Sequence, residues 1–223
     1  MIKNLLYLVL VFYISYLITV WYKIDYLNFY LKPLLVPSLI FYVVSTPRFS
    51  GKGILILSLF MSTLGDILLL FSDINELFFI CGLISFLIAH VIYIHLFFTK
   101  SNKLNSYKWV YGSIALLSIY LFYFLSTMWD NLKTLKIPVT VYALVISIML
   151  FVAIQLVASK SLRRGGYVLL GALLFVISDS LLAWSKFHQD IAHSSFWVMS
   201  TYLFAQYFIV TGWVSSMKIG ENV

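Results

Sequence analysis

Two aspartates stand inside long apolar runs. Asp66 lies in L-F-M-S-T-L-G-D-I-L-L-L-F and Asp179 in G-A-L-L-F-V-I-S-D-S-L-L-A-W. Near the centre of a membrane helix an aspartate costs roughly 2.5–3.5 kcal/mol on insertion scales. A chain that keeps two, in matching surroundings, has a use for them. Burial disfavours the charged form of a carboxylic acid, and two close carboxylates share a proton. One acid then sits beside one base at neutral pH, the arrangement general acid–base hydrolysis requires. A substrate whose slow step is protonation fits such a pair, and a vinyl ether is one. Protonating its alkene carbon gives an oxocarbenium ion that a carboxylate stabilises. Water activated by the other carboxylate adds to form a hemiacetal, which collapses to an aldehyde and an alcohol.

Other polar residues in apolar runs have plainer readings beside the functional one. The aspartates themselves can be structural acceptors between helices. His90 can be a core histidine bonded to a carbonyl. Tyr142 and Gln206 read as interhelical hydrogen bonders. Lys32 sits where a lysine snorkels to the interface, or where it meets a phosphate. His90 and His95 are five apart and share no helix face, and there is no H-E-x-x-H. No metal is assigned. Cys81 is the single cysteine, so no internal disulfide is available. His188 and His193 fall in a loop and read as solvated.

The elements that carry these residues must be membrane helices. Of 223 residues, 62% are hydrophobic and only 10% charged, against about 25% charged in a soluble domain. The fold class is all-α, a polytopic bundle in one integral membrane domain spanning 1–223. Apolar runs at roughly 4–22, 31–46, 53–71, 77–98, 107–127, 134–158, 165–186 and 196–217 predict eight spans. The first is read as a retained span, because it is long for a signal peptide and no cleavage site follows it. Pro33 and Pro37 predict a kink or an interfacial start for the second.

The net charge of +7 is scattered at helix ends rather than gathered on one face, which argues for topology and against nucleic acid as a partner. Lys3, Arg48, Lys52, Lys100, Lys103, Lys108, Lys160, Arg163, Arg164 and Lys218 fall on the side of both termini, and Lys23, Lys32, Lys133, Lys136 and Lys186 on the other. Ten against five predicts cytoplasmic termini, and the expected setting is a bacterial inner (plasma) membrane.

The chain repeats at about half its length. G-D-I-L-L-L-F (65–71) matches S-D-S-L-L-A-W (178–184), S-F-L-I-A-H (85–90) matches T-Y-L-F-A-Q (201–206), and L-K-P (31–33) matches L-K-I-P (135–138). A four-span unit, in halves of about 1–106 and 107–223, gives parallel repeats. At 1.5 Å per residue Asp66 and Asp179 lie roughly 8–10 Å below the non-cytoplasmic surface, Tyr142 about 12 Å, Gln206 about 15 Å and His90 about 19 Å, with Lys32 at the mouth. A pseudo-twofold axis is expected to turn the two carboxylates toward a central cavity.

With these residues in view, the chain resembles the YhhN-type lysoplasmalogenase family of membrane hydrolases. The likeness is carried by K-P-L-L-V-P (32–37), S-T-L-G-D-I-L-L (62–69), F-I-C-G-L-I-S-F-L-I-A-H-V-I-Y (79–93), I-P-V-T-V-Y-A-L-V-I-S (137–147), G-A-L-L-F-V-I-S-D-S-L-L-A-W (171–184) and T-Y-L-F-A-Q-Y-F-I (201–209). The resemblance implies hydrolysis of the vinyl ether of lysoplasmalogens, 1-alkenyl glycerophosphocholines or glycerophosphoethanolamines, without a cofactor. The lysophospholipid substrate and membrane lipid are then the expected partners. The family's two aspartates map onto Asp66 and Asp179. Lys32 is expected to meet the phosphate, and His90, Tyr142, Tyr202 and Gln206 to position water and the ether oxygen.

Three other readings compete. A proton-coupled transporter also uses parallel repeats and embedded carboxylates, and would move substrate without product. A metal-dependent lipid hydrolase would be sensitive to chelators. A structural or sensory protein would tolerate asparagine at both aspartates.

Overall fold

The computed structural model describes residues 2–100, 107–159 and 165–220. Eight α-helices follow one another: α1 (Ile2–Trp21), α2 (Asp25–Val44), α3 (Lys52–Leu69), α4 (Glu76–Phe98), α5 (Tyr107–Met128), α6 (Lys136–Ala158), α7 (Gly165–Phe187) and α8 (Ser194–Gly220). A short 3₁₀ turn over Lys133–Leu135 precedes α6. Among the described residues there is no β-strand. Helices α1 to α7 are each long and apolar enough to cross a membrane, and the chain is an integral membrane protein. The charged loops holding Lys103, Lys160, Arg163 and Arg164 lie outside the described residues.

Helix α8 is the eighth expected span, yet it falls short of the apolarity of the other seven. It carries Ser200, Thr201, Gln206, Thr211, Ser215 and Ser216. The physical reason is burial inside protein. Leu203, Ala205, Gln206, Ile209, Val210 and Trp213 are all fully buried, so α8 needs less lipid-compatible surface.

Local chemistry sets the ends. Asp25 and Glu76 open α2 and α4, where the helix dipole favours a carboxylate. The Asn75 side chain accepts from the Leu77 N–H at 2.9 Å, capping α4. Lys52 Nζ donates to the carbonyls of Val44 and Thr46 at 2.9 and 2.6 Å, closing the end of α2. Helix α2 begins at Asp25, six residues before the apolar run, and keeps Pro33 and Pro37 inside it. Its first two turns expose Tyr26, Phe29 and Tyr30, an aromatic set suited to a membrane interface. Helix α3 stops at Leu69, but i→i−3 bonds from Leu70, Phe71 and Ser72 continue it as a tighter turn.

The chain divides into two compact units, Met1–Ile92 with Met217–Val223, and Tyr93–Ser216, with the boundary inside α4. In the first, α2 packs on both α1 and α3; in the second, α6 packs on both α5 and α7. The third helix of each half meets the fourth through a glycine. A Cβ at Gly65 would strike the Phe86 ring at 2.6 Å, and one at Gly171 would strike the Ala205 carbonyl at 2.7 Å and the Ile209 N at 2.8 Å. Small residues let membrane helices approach closely. Several hydroxyls in the spans return their protons to their own helix, as in Ser58 to Leu55 O and Ser147 to Ala143 O, whereas Thr140 Oγ1 is buried with no hydrogen-bond partner among the described residues. Gln155 Nε2 reaches Ser113 Oγ at 3.2 Å as a polar rung between α6 and α5.

Candidate active site

Each unit carries one of the two aspartates. In the first, Asp66 sits on α3 just after Gly65 and is buried, with 3% of its surface exposed. Tyr16 of α1, buried, and Lys32 of α2, half-buried, both lie in the electrostatic field of its carboxylate. A helix from each side thus brings one polar group toward Asp66. Lys32 stands at the start of the third turn of α2, inside the helix because α2 begins at Asp25. His90 is fully buried on α4.

In the second unit, Asp179 lies on α7, half-buried. Its Oδ2 accepts a hydrogen bond from the Tyr142 hydroxyl of α6 at 2.5 Å. Tyr120 of α5 shares a hydrogen bond with Ser180 Oγ at 2.7 Å and lies in the field of the Asp179 carboxylate. These groups line a small pocket of about 30 Å³, walled by Phe124, Val139 and Val176. Ser178 Oγ donates to the Val198 carbonyl at 3.0 Å, tying α7 to the start of α8 beside the aspartate.

The structure brings Tyr142 to Asp179 and Lys32 into the electrostatic field of Asp66. Gln206 is fully buried and its Oε1 accepts from the Tyr93 hydroxyl at 2.6 Å. Tyr202, also buried, stacks edge-on against Phe175, one turn before Asp179 on α7, with ring centroids 5.4 Å apart. Among the described residues no group of three or more His, Cys, Asp and Glu side chains is arranged to hold a metal ion.

Two tyrosines that the sequence reading passed over emerge here. Tyr16 on α1 and Tyr120 on α5 occupy the first helix of their respective halves, and each lies in the electrostatic field of the aspartate on the third. The signal was present in the repeat, as a tyrosine in the first apolar run of each half. It was masked by the 16 tyrosines of the chain.

Comparison with known proteins places the chain in a family. The model of the YhhN family matches residues 27–213, a stretch that includes both aspartates. Lysoplasmalogenase TMEM86B of Sus scrofa is 30% identical over 173 residues, covering 74% of this chain and 65% of that protein. The Homo sapiens protein of the same name is 31% identical over 133 residues, covering 59% of this chain and 52% of its own length. The Mus musculus protein is 29% identical over 164 residues, covering 74% and 65%. The chain therefore matches less than two thirds of the length of these relatives. No solved structure matches it. On the family match, which takes in the whole of α3 to α7, the chain belongs to the YhhN family.

Proposed function

We propose that this protein hydrolyses the vinyl ether bond of lysoplasmalogens, releasing a fatty aldehyde and a glycerophospho-alcohol, with Asp66 and Asp179 as its acid and base. The observation that carries the reading is membership of the YhhN family over 27–213, together with similarity to relatives named lysoplasmalogenase. The hydrogen bond from Tyr142 to Asp179 supports the chemistry, because a positioned donor holds a carboxylate in one orientation. One aspartic acid gives its proton to the alkene carbon. The resulting oxocarbenium ion is stabilised by carboxylate charge. Water loses a proton to the other carboxylate as it adds, and the hemiacetal expels the glycerol oxygen as an alcohol. The chain's own proton traffic closes without a cofactor. In this reading Lys32 holds the phosphate, His90, Tyr142, Tyr202 and Gln206 position water and the ether oxygen, and both termini are cytoplasmic.

The test is hydrolysis in D₂O with purified protein, 1-alkenyl lysophosphatidylethanolamine and rapid reduction of the aldehyde. About one deuterium per molecule is expected at the carbon next to the former aldehyde, since protonation there is the catalysed step. Substrate flux into liposomes with no aldehyde would favour a transporter instead.

A further inference from the structure

A lysoplasmalogen has a single tail, and its reactive bond begins at the first carbon of that tail. An enzyme for it needs a polar reacting pocket opening directly onto an apolar channel. The second unit sets two such spaces side by side. An apolar groove of about 580 Å³ runs along α5, α6 and α7, within the 300–1,000 Å³ typical of small-molecule sites. It shares Tyr120, Phe124, Val176 and Ser180 with the small pocket that holds Asp179 and Tyr142. The Tyr120–Ser180 hydroxyl pair is the polar feature between the two, with hydrocarbon on one side and the carboxylate on the other.

We propose that this groove binds the hydrocarbon tail of the lysolipid substrate, with the Tyr120–Ser180 pair marking where tail gives way to ether oxygen. The inference rests on the reading of Asp179 as catalytic. From Ser180 the groove follows α7 back to Leu173, about 10 Å of helix. Leu150 of α6 and Leu116 of α5 wall the same end. Leu116, Leu173 and Ile177 are exposed on the flank of these spans, so a tail enters sideways from lipid and its far end remains there. The other end is walled by Trp184 and Ile191, near the end of α7, and the polar head lies at that end in this proposal.

The experiment uses the full chain in nanodiscs and a saturated 1-O-hexadecyl lysophosphatidylethanolamine with a diazirine in its tail. This probe lacks the vinyl ether, so labelling does not depend on turnover. Labelling of α5 and α7 at the groove, displaced by unlabelled lysoplasmalogen, is the expected result. Labelling elsewhere, or groove labelling that a diacyl diazirine lipid matches and lysoplasmalogen does not displace, overturns the proposal and makes the groove an ordinary lipid contact. Displaceable labelling without aldehyde release upholds the tail site while removing the hydrolase reading. Leu173→Trp adds a second readout. It should raise KM for a hexadecenyl substrate about tenfold, by displacing roughly two methylenes, and leave a butenyl substrate within about twofold. Equal effects on both chains from a folded variant also overturn the proposal.

Discussion

The Tyr142 hydroxyl, on α6, donates to Oδ2 of Asp179, on α7, at 2.5 Å. One helix thereby fixes the orientation of the carboxylate that its neighbour supplies. A hydrogen bond to a charged group is worth about 1.5–3 kcal/mol. Tyr142→Phe is therefore expected to lower kcat about 10- to 100-fold, with the fold retained by circular dichroism. Unchanged kcat would remove Tyr142 from the site.

Lys32 separates two roles. As the phosphate-binding charge, its loss in Lys32→Met should raise KM about tenfold and spare kcat, because substrate and transition state lose the contact equally. Its place in the field of Asp66 offers the other outcome. A fall in kcat at constant KM would mean that Lys32 serves the carboxylate and not the lipid.

Gly171 is a packing prediction. Its absent Cβ leaves room for the backbone of Ala205 and Ile209, which cannot swing aside as a side chain can. Gly171→Ala should destabilise by about 1–3 kcal/mol, the usual range for overpacking. Gly166, with open space around it, is the control. Gly166→Ala should be neutral or stabilising by up to about 1 kcal/mol through helix propensity. Thermal unfolding in detergent reads both, and equal melting points would contradict the α7–α8 contact.

The legible and illegible parts of this chain divide on physical grounds. Apolar runs of span length predicted every helix, because lipid leaves the backbone no alternative to helix. The early start of α2 was hidden because Asp25 to Tyr30 mixes polar and aromatic residues and interrupts the apolar run. The two aspartates stood out by cost alone. The partnership of Tyr142 with Asp179 was legible only as a polar residue at similar depth. Tyr16 and Tyr120 were not legible, since an aromatic in an apolar run carries no penalty to mark it. The sideways groove could not be read either, because it is formed by the shapes of Leu116, Leu150 and Leu173 on three helices, and leucines at those positions look like any lipid-facing surface.

Acid–base work by two carboxylates also predicts a bell-shaped dependence of kcat/KM on pH, one group being needed protonated and the other ionised. The rate should fall on both sides of an optimum. A flat profile between about pH 4 and pH 9 would count against the pair.

The central claim is most directly tested by fatty aldehyde release from 1-alkenyl lysophosphatidylethanolamine by wild type, Asp66→Asn, Asp179→Asn and the double variant, each with and without a chelator. The account predicts chelator-insensitive release from wild type. It predicts a loss of about 10²–10⁴-fold in each single variant and little further loss in the double, as for residues that act as a unit. Full activity in either folded single variant, or loss only when the chelator is present, would contradict it.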